Sequence, residues 1–283
     1  MLQTILAPAK INLGLEVLFK RPDGYHEINT LFYRVSEPHD VITVTRSGFF
    51  QLTSSIDLPD ESSNIMIRAT HEFEKLASQP LPRIHVHLDK QIPIGAGLGG
   101  GSSDAAAMLQ ILREQSENPP SMPDMMSIAA KIGADVPFFL SGEIAAQASG
   151  IGEKLSPTTS PLFPKSAPSI LIVVDPAIQV STREAYTTIS TSAESGRLDY
   201  AEWTSARRAL REWREHLRND FEPEIFRRHP RLASIKHTMY TRGAEFSLMS
   251  GSGSAVYGLF EKMEKAINAK ELFQSEGLNS FLS

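Results

Sequence analysis

Ser102 and Ser103 close a run, residues 93–103 (PIGAGLGGGSS), in which five glycines fall within seven positions. Glycine lets backbone N–H groups turn inward with no Cβ in the way, and a helix N-terminus adds partial positive charge. Such a run suits an anionic phosphate. Apolar Ala105, Ala106, Met108, Leu109 and Leu112 follow at helical spacing, and residues 83–88 (RIHVHL) alternate ahead of it as a strand does. The expected unit is strand, loop and helix start, and its chemistry is nucleotide binding. A turn made only to change chain direction is the plain alternative, but most turns need one or two glycines. Gly95, Gly97 and Gly100 fit G-x-G-x-x-G, yet no second strand follows the helix soon enough for a dinucleotide fold. No Lys precedes Ser102, so the Walker A loop is excluded. A cation for the phosphates must come from elsewhere in the chain or from a metal.

Phosphoryl transfer further requires a metal site, an acceptor pocket and a charged residue at the reacting oxygen. Either Ser102 or Ser103 can reach Mg²⁺ or a phosphate. A second glycine loop, residues 250–254 (SGSGS), offers more donors or is a plain hairpin turn. Lys10 stands in APAKINLGL, a strand apolar on both sides; it is either an edge lysine facing water or a buried cation with an anionic partner. Asp135, in GADVPFF, lies between a helix end and an apolar strand. It caps or turns the chain, or, partly desolvated, accepts a proton or sits beside Lys10. Spacing alone does not choose. Tyr25 and His26 end the turn RPDGYH, where an aromatic can stack on a planar base or merely cover surface. His85 and His87 share one strand face with no nearby carboxylate to complete a metal site. Trp203, Leu210, Trp213 and Leu217 read as a core stripe.

These groups must be positioned by an ordinary globular chain of 283 residues, 41% hydrophobic and 22% charged, enough for one large or two modest domains. A formal charge of -5 argues against a general nucleic-acid or membrane-surface binder. Zero cysteines exclude disulfides, a thiol nucleophile and thiolate metal sites, and suit a reducing cytoplasm. Residues 4–19 and 31–45 read as strands, broken by turn signals at PDGYH and SEPHD; residues 64–76 read as a helix. After the glycine loop and its helix come a second helix, 125–132, then a loop, strand and turn. SPTTSPLFPKSAP (156–168) marks a boundary, giving domains 1–160 and 161–283. The second half reads as strand 169–174, a long charged helix 200–217, helix 231–241, strands 244–249 and 255–260 around SGSGS, and helix 262–275. The mixture is α+β.

Three stretches together, APAKINLGLEVLFKRPDGYHEI, PIGAGLGGGSSDAA with GADVPFF, and SGSGSAVYGLF, resemble the GHMP small-molecule kinases over nearly the whole chain. The resemblance implies a two-domain α+β kinase: an N-terminal ATP-binding domain like ribosomal protein S5, a C-terminal ferredoxin-like domain, and an active site in the cleft. It implies transfer of the γ-phosphoryl of ATP, with Mg²⁺, to an alcohol. Within the family, the resemblance carried by RPDGYH beside AKINLGL implies the 2-hydroxyl of a cytidine-diphosphate-linked methylerythritol as acceptor, in the non-mevalonate isoprenoid route. Mevalonate, homoserine or sugar kinases of the family are the alternative, and a non-catalytic nucleotide-binding module a more distant one. Carried over by motif, Lys10 and Asp135 are the catalytic pair: Asp135 takes the hydroxyl proton or stabilises its loss, and Lys10 neutralises charge. Pro93, Ile94, Gly95, Ala96, Gly97, Leu98, Gly99, Gly100, Gly101, Ser102 and Ser103 cover ATP, with Ser102 also the metal ligand. Asn12, Tyr25, His26, Thr182, Tyr186, Gly251, Ser252 and Gly253 bind the acceptor. The implied partners are ATP and this small molecule, with no nucleic acid, membrane or obligate protein partner, in the cytoplasm.

Overall fold

Two long strands open the chain: β1 (Gln3–Lys20) and β2 (His26–Arg46). The computed structural model describes residues 3–57, 64–77, 79–158, 162–163, 168–189, 198–204 and 208–283. Side chains alternate faces along a strand. Along β1 the odd positions Ile11, Leu13, Leu15 and Val17 are apolar, while the even ones, Lys10, Asn12, Gly14 and Glu16, carry the polar groups. Both rows are buried. Lys10 is therefore not an edge lysine facing water. β2 runs unbroken through SEPHD, correcting the turn expected there; the fully buried Asp40 carboxylate takes backbone donors from another segment instead of turning its own.

One compact unit comprises Met1–Ala9, His39–Ile94 and Gly99–Glu143. It contains β3 (Gln51–Ser54), α1 (Ile65–Ala77), β4 (Ile84–Asp89), α2 (Gly100–Glu114), α3 (Met122–Ile132) and α4 (Val136–Ser141). The end of β2 pairs antiparallel with β4, with Val44 opposite Val86, and β3 pairs parallel to β4. Helices α1, α2 and α3 pack on one another, with α4 against α2 and α3, and Met66, Ala69, Phe73, Ala105, Met108, Leu109 and Leu112 are buried. Asn64 caps α1 through its Oδ1, and Ser121 caps α3. α4 corrects the strand expected after Asp135: Pro137 sits in its first turn, where proline's missing N–H costs nothing, and Val136, Phe138, Phe139 and Leu140 are all buried. A short apolar run looks the same to periodicity whether helix or strand.

The other unit comprises Lys10–Pro38, Gly95–Leu98 and Ile144–Ser283. Here the start of β2 pairs antiparallel with β5 (Ala145–Gly150), and β5 with β6 (Lys154–Pro157). β7 (Ser169–Val174) is followed by α5 (Thr182–Thr188), α6 (Tyr200–Trp203), a 3-10 turn (Leu210–Glu212), α7 (Trp213–His216), α8 (Glu222–Arg228) and α9 (Pro230–Thr241). Then come β8 (Phe246–Met249), β9 (Val256–Phe260), α10 (Met263–Ser275) and β10 (Asn279–Leu282). The sheet order β10-β7-β9-β8 is antiparallel, with α9 and α10 packed on it. That β-α-β-β-α-β arrangement is ferredoxin-like, as the resemblance implied. The long helix expected over 200–217 is instead short pieces: Asp199 caps α6, Thr204 Oγ1 bonds back to Tyr200 O, and Ala209 is extended. Leu210, Trp213 and Leu217 are core, as expected, with Trp203 half-buried. Residues 159–161 and 164–167 of the expected boundary, and 205–207, lie outside the described residues. Among the described residues no helix is long and apolar enough to cross a membrane.

Candidate active site

The middle of the first glycine loop is held by its carbonyls. Ala96 O accepts from Ala255 N at 3.0 Å, and Leu98 O accepts from Lys10 N at 2.9 Å. Between them Gly97 O accepts from Ser250 Oγ at 2.9 Å and from Lys10 Nζ at 3.1 Å. In a trans peptide the C=O and the next residue's N–H point in opposite directions. Three consecutive carbonyls turned onto β1 and the SGSGS loop therefore turn the N–H groups of Gly97, Leu98 and Gly99 the other way. That is a row of donors of the kind that cradles phosphate. Gly97 has φ +76°, and a Cβ there would overlap Ser250 O, so glycine is required twice over. The SGSGS loop is thus no plain hairpin turn. Asn219, which the sequence reading passed over, fixes it: Nδ2 donates to Met249 O and Gly251 O, each at 2.8 Å, and Oδ1 accepts from Phe221 N.

Lys10, 3% exposed, has a second partner in Asn12 Oδ1 at 2.7 Å, and its ammonium lies 5.1 Å from the Phe32 ring centre. Asn12 Nδ2 donates to Thr30 Oγ1, which donates to Gly14 O, and Tyr257 Oη donates to Asn12 O. Asn12 is therefore spent chiefly on aiming Lys10, with one amide hydrogen left for other use.

Of the expected acceptor residues, His26 stacks on Tyr186 with ring centres 5.1 Å apart and planes 19° apart, and Tyr186 meets Phe221 edge-on at 4.9 Å. Burial, with the Lys20 charge, lowers the His26 pKa, which keeps the ring neutral at pH 7. Thr182 Oγ1 lies 3.0 Å from Ser252 Oγ, joining α5 to the SGSGS loop. Gly251 and Gly253 are buried, and Tyr25 is 61% exposed beside this cluster in sequence. An exposed ring can serve a ligand, whereas a buried one only packs.

In the other unit, Asp135 occupies the residue before α4, half-buried, and its side chain makes no capping bond. The capping role the sequence left open is therefore absent. Ser103 is buried and Ser102 half-buried in the first turn of α2, and Ser103 N donates to Gly99 O. Pro93, Gly99, Gly100 and Gly101 are half-buried and Ile94 is 64% exposed. His85 and His87 both bond Thr53 Oγ1, at 2.8 Å each, and among the described residues no three His, Asp or Glu gather as a metal cage.

Comparison with known proteins gives this arrangement its family. The model for the GHMP kinases N-terminal domain matches residues 64–143, and that for the GHMP kinases C-terminal domain matches 202–277. A 4-diphosphocytidyl-2-C-methyl-D-erythritol kinase of Parabacteroides distasonis is 40% identical over 260 residues, 90% of each chain. The chain belongs to the GHMP kinase family. It is accordingly an ATP-dependent small-molecule kinase. A kinase of the same name from Salinibacter ruber is 39% identical, covering 98% of this chain and 96% of its own. Among solved structures, a 4-(cytidine 5'-diphospho)-2C-methyl-D-erythritol kinase superposes with TM-score 0.78 at 34% identity, over 99% of this chain and 98% of that one. A mevalonate kinase at TM-score 0.71 and 13% identity shares the fold.

Proposed function

We propose that this GHMP kinase transfers the γ-phosphoryl of ATP to the 2-hydroxyl of 4-diphosphocytidyl-2-C-methyl-D-erythritol, giving the 2-phosphate and ADP, in the cytoplasm. One observation carries the reading: relatives 37–40% identical over at least nine-tenths of this chain bear that one name. The stacked His26–Tyr186 pair supports it, since a flat neutral aromatic surface next to exposed Tyr25 suits a pyrimidine. A sugar, homoserine or mevalonate offers no flat aromatic ring to stack. The domain division near residue 160 is part of the same proposal, the two family models falling on either side of it.

In this mechanism the donor row of Gly97, Leu98 and Gly99 grips the nucleotide phosphates. The substrate hydroxyl oxygen attacks the γ-phosphorus, the bond to the β–γ bridging oxygen breaks, and ADP leaves with that electron pair. Asp135 takes the hydroxyl proton as the new bond forms. Lys10, aimed by Asn12 and Gly97 O, offsets the negative charge that builds on the transferring oxygens. The donor set suits Mg²⁺, which commonly rides on substrate phosphates with few protein ligands: the half-buried Ser102 hydroxyl in the first turn of α2 is a hard oxygen donor. Ser102 would be its ligand, and the metal would neutralise phosphate charge.

The test is ATP consumption with the cytidine diphosphate alcohol against mevalonate and galactose. Turnover should require the first, and a preference for either of the others would end the reading. Asp135→Asn should keep ATP affinity by calorimetry and lose about 10²-fold or more in kcat. Near-normal turnover in that variant would remove Asp135 from the chemistry.

A further inference from the structure

Lys90 stands just ahead of the glycine loop, where a cation would be expected to reach out to phosphate. It does not reach out. Its side chain is 8% exposed, and its ammonium is held between two buried carboxylates, Asp40 Oδ2 and, at 2.8 Å, Asp104 Oδ2. Asp40 Oδ1 in turn accepts from Gln91 N at 2.6 Å and Ile92 N at 2.8 Å, the residues leading into the loop. Asp104 lies one turn into α2, the helix that leaves the loop. At the same level Gly100 presses on Lys90: a Cβ there would come within 2.9 Å of Nζ and 2.8 Å of Ile92 Cγ2. The two ends of the loop are thus drawn together through a single ammonium.

The cluster is unusual in what it tolerates. Asp104 Oδ1 is buried with no hydrogen-bond partner, a costly state for a carboxylate oxygen. Its other oxygen, Oδ2, takes the bond from Lys90, and the carboxyl also meets Asp40, so the position of this side chain depends on the cluster. Buried ion clusters add little to stability over apolar packing, and their best-attested use is to fix one geometry.

We propose that the Asp40–Lys90–Asp104 cluster is a positioning device for the phosphoryl-transfer reaction: it closes the neck of the glycine loop so that the loop meets ATP already shaped. Lys90 and Asp104 are positioning residues and touch no phosphate themselves. The inference rests on the reading of residues 93–103 as the ATP loop, and the unsubstituted chain tests that reading first: no ATP consumption with the alcohol would sink the reading before any variant is compared.

The decisive comparison is Asp104→Ala against Asp104→Asn. Alanine cuts the tie at a helical position it favours and leaves Lys90 neutralised by Asp40. Asparagine keeps a carbonyl oxygen for the ammonium. D104A should raise the KM for ATP, and the Kd for ATP by calorimetry, about 5- to 20-fold, with the KM for the acceptor alcohol within about twofold of the parent. D104N should restore the KM for ATP to within about twofold. Parental ATP affinity in D104A overturns the proposal, and so does a D104N variant as impaired as D104A. An equal rise in both KM values also overturns it, because that is what general loosening of the fold produces. Should D104A fail to fold, Asp104→Leu makes the same cut with an apolar side chain of similar size and leaves the Lys90–Asp40 pair intact, and the same criteria apply.

Discussion

Replacing Gly97 with alanine should disable the enzyme through two separable effects. The first is backbone strain: φ is +76°, where a residue bearing Cβ loses roughly 1–2 kcal/mol. The second is contact. The new methyl would overlap Ser250 O, so the Gly97 carbonyl has to move off its two donors, Ser250 Oγ at 2.9 Å and Lys10 Nζ at 3.1 Å. Losing a neutral hydrogen bond costs about 1 kcal/mol and one from a charged donor about 2. Gly95 isolates the strain, because it has φ +70° and nothing within 4 Å of a Cβ. Gly95→Ala should therefore lose roughly tenfold in kcat/KM, from strain of about 1–2 kcal/mol. Gly97→Ala should fall about another 10²-fold, from contact losses of about 3 kcal/mol. A coupled assay of ADP release, with thermal unfolding of each variant alongside, measures both. If the two alanine variants come within threefold of each other, the coupling of Lys10 and Ser250 through Gly97 has no bearing on turnover.

Two further outcomes are expected. Tyr186→Ala removes the surface beneath His26 and should raise the KM for the acceptor about tenfold, from a stacking loss of about 1–3 kcal/mol, while steady-state KM for ATP stays put. Burial, opposed by Lys90 and reinforced by Asp40, pushes the Asp104 carboxyl up from 3.8 to about 7. The folded chain thus keeps this proton to higher pH than the unfolded chain does. Stability from this group is complete below the ordinary carboxylate range and is lost as pH rises through about 7. Calorimetric Tm should fall less steeply over that window in Asp104→Asn than in the parent, and identical slopes would exclude the shift.

Much of this was readable in the residues. Helix spacing behind the glycine loop, the Asn64–Leu76 periodicity and the alternation of RIHVHL each appeared where expected, because each element's local preference agrees with its packing. The fate of Lys10 was also written in β1, where Lys10, Asn12, Gly14 and Glu16 occupy one face in period two. Reading the strand as apolar on both sides hid that polar row. What failed was whatever depends on distant segments. Asp40 looked like a turn former because its backbone donors, Gln91 and Ile92, lie some fifty positions on. Lys90 carried no sign that two carboxylates would claim it. Asn219 gave no local cue either, since its partners are carbonyls near the far end of the chain. The run 136–140 gave too few residues for its period to separate helix from strand.

The meeting of Lys10 and Ser250 on one carbonyl has a consequence in time. The amine is synthesised 240 residues before the hydroxyl, by subtraction of their positions. At about 5–20 residues per second a ribosome needs roughly ten to fifty seconds to cover that distance. From residue 103 onward the nascent chain carries its glycine-rich segment, while the SGSGS side of it is still to be made. The carbonyl of Gly97 gains both of its side-chain donors only once SGSGS has emerged, so on the proposed mechanism a chain that stops short of it is expected to turn over no ATP.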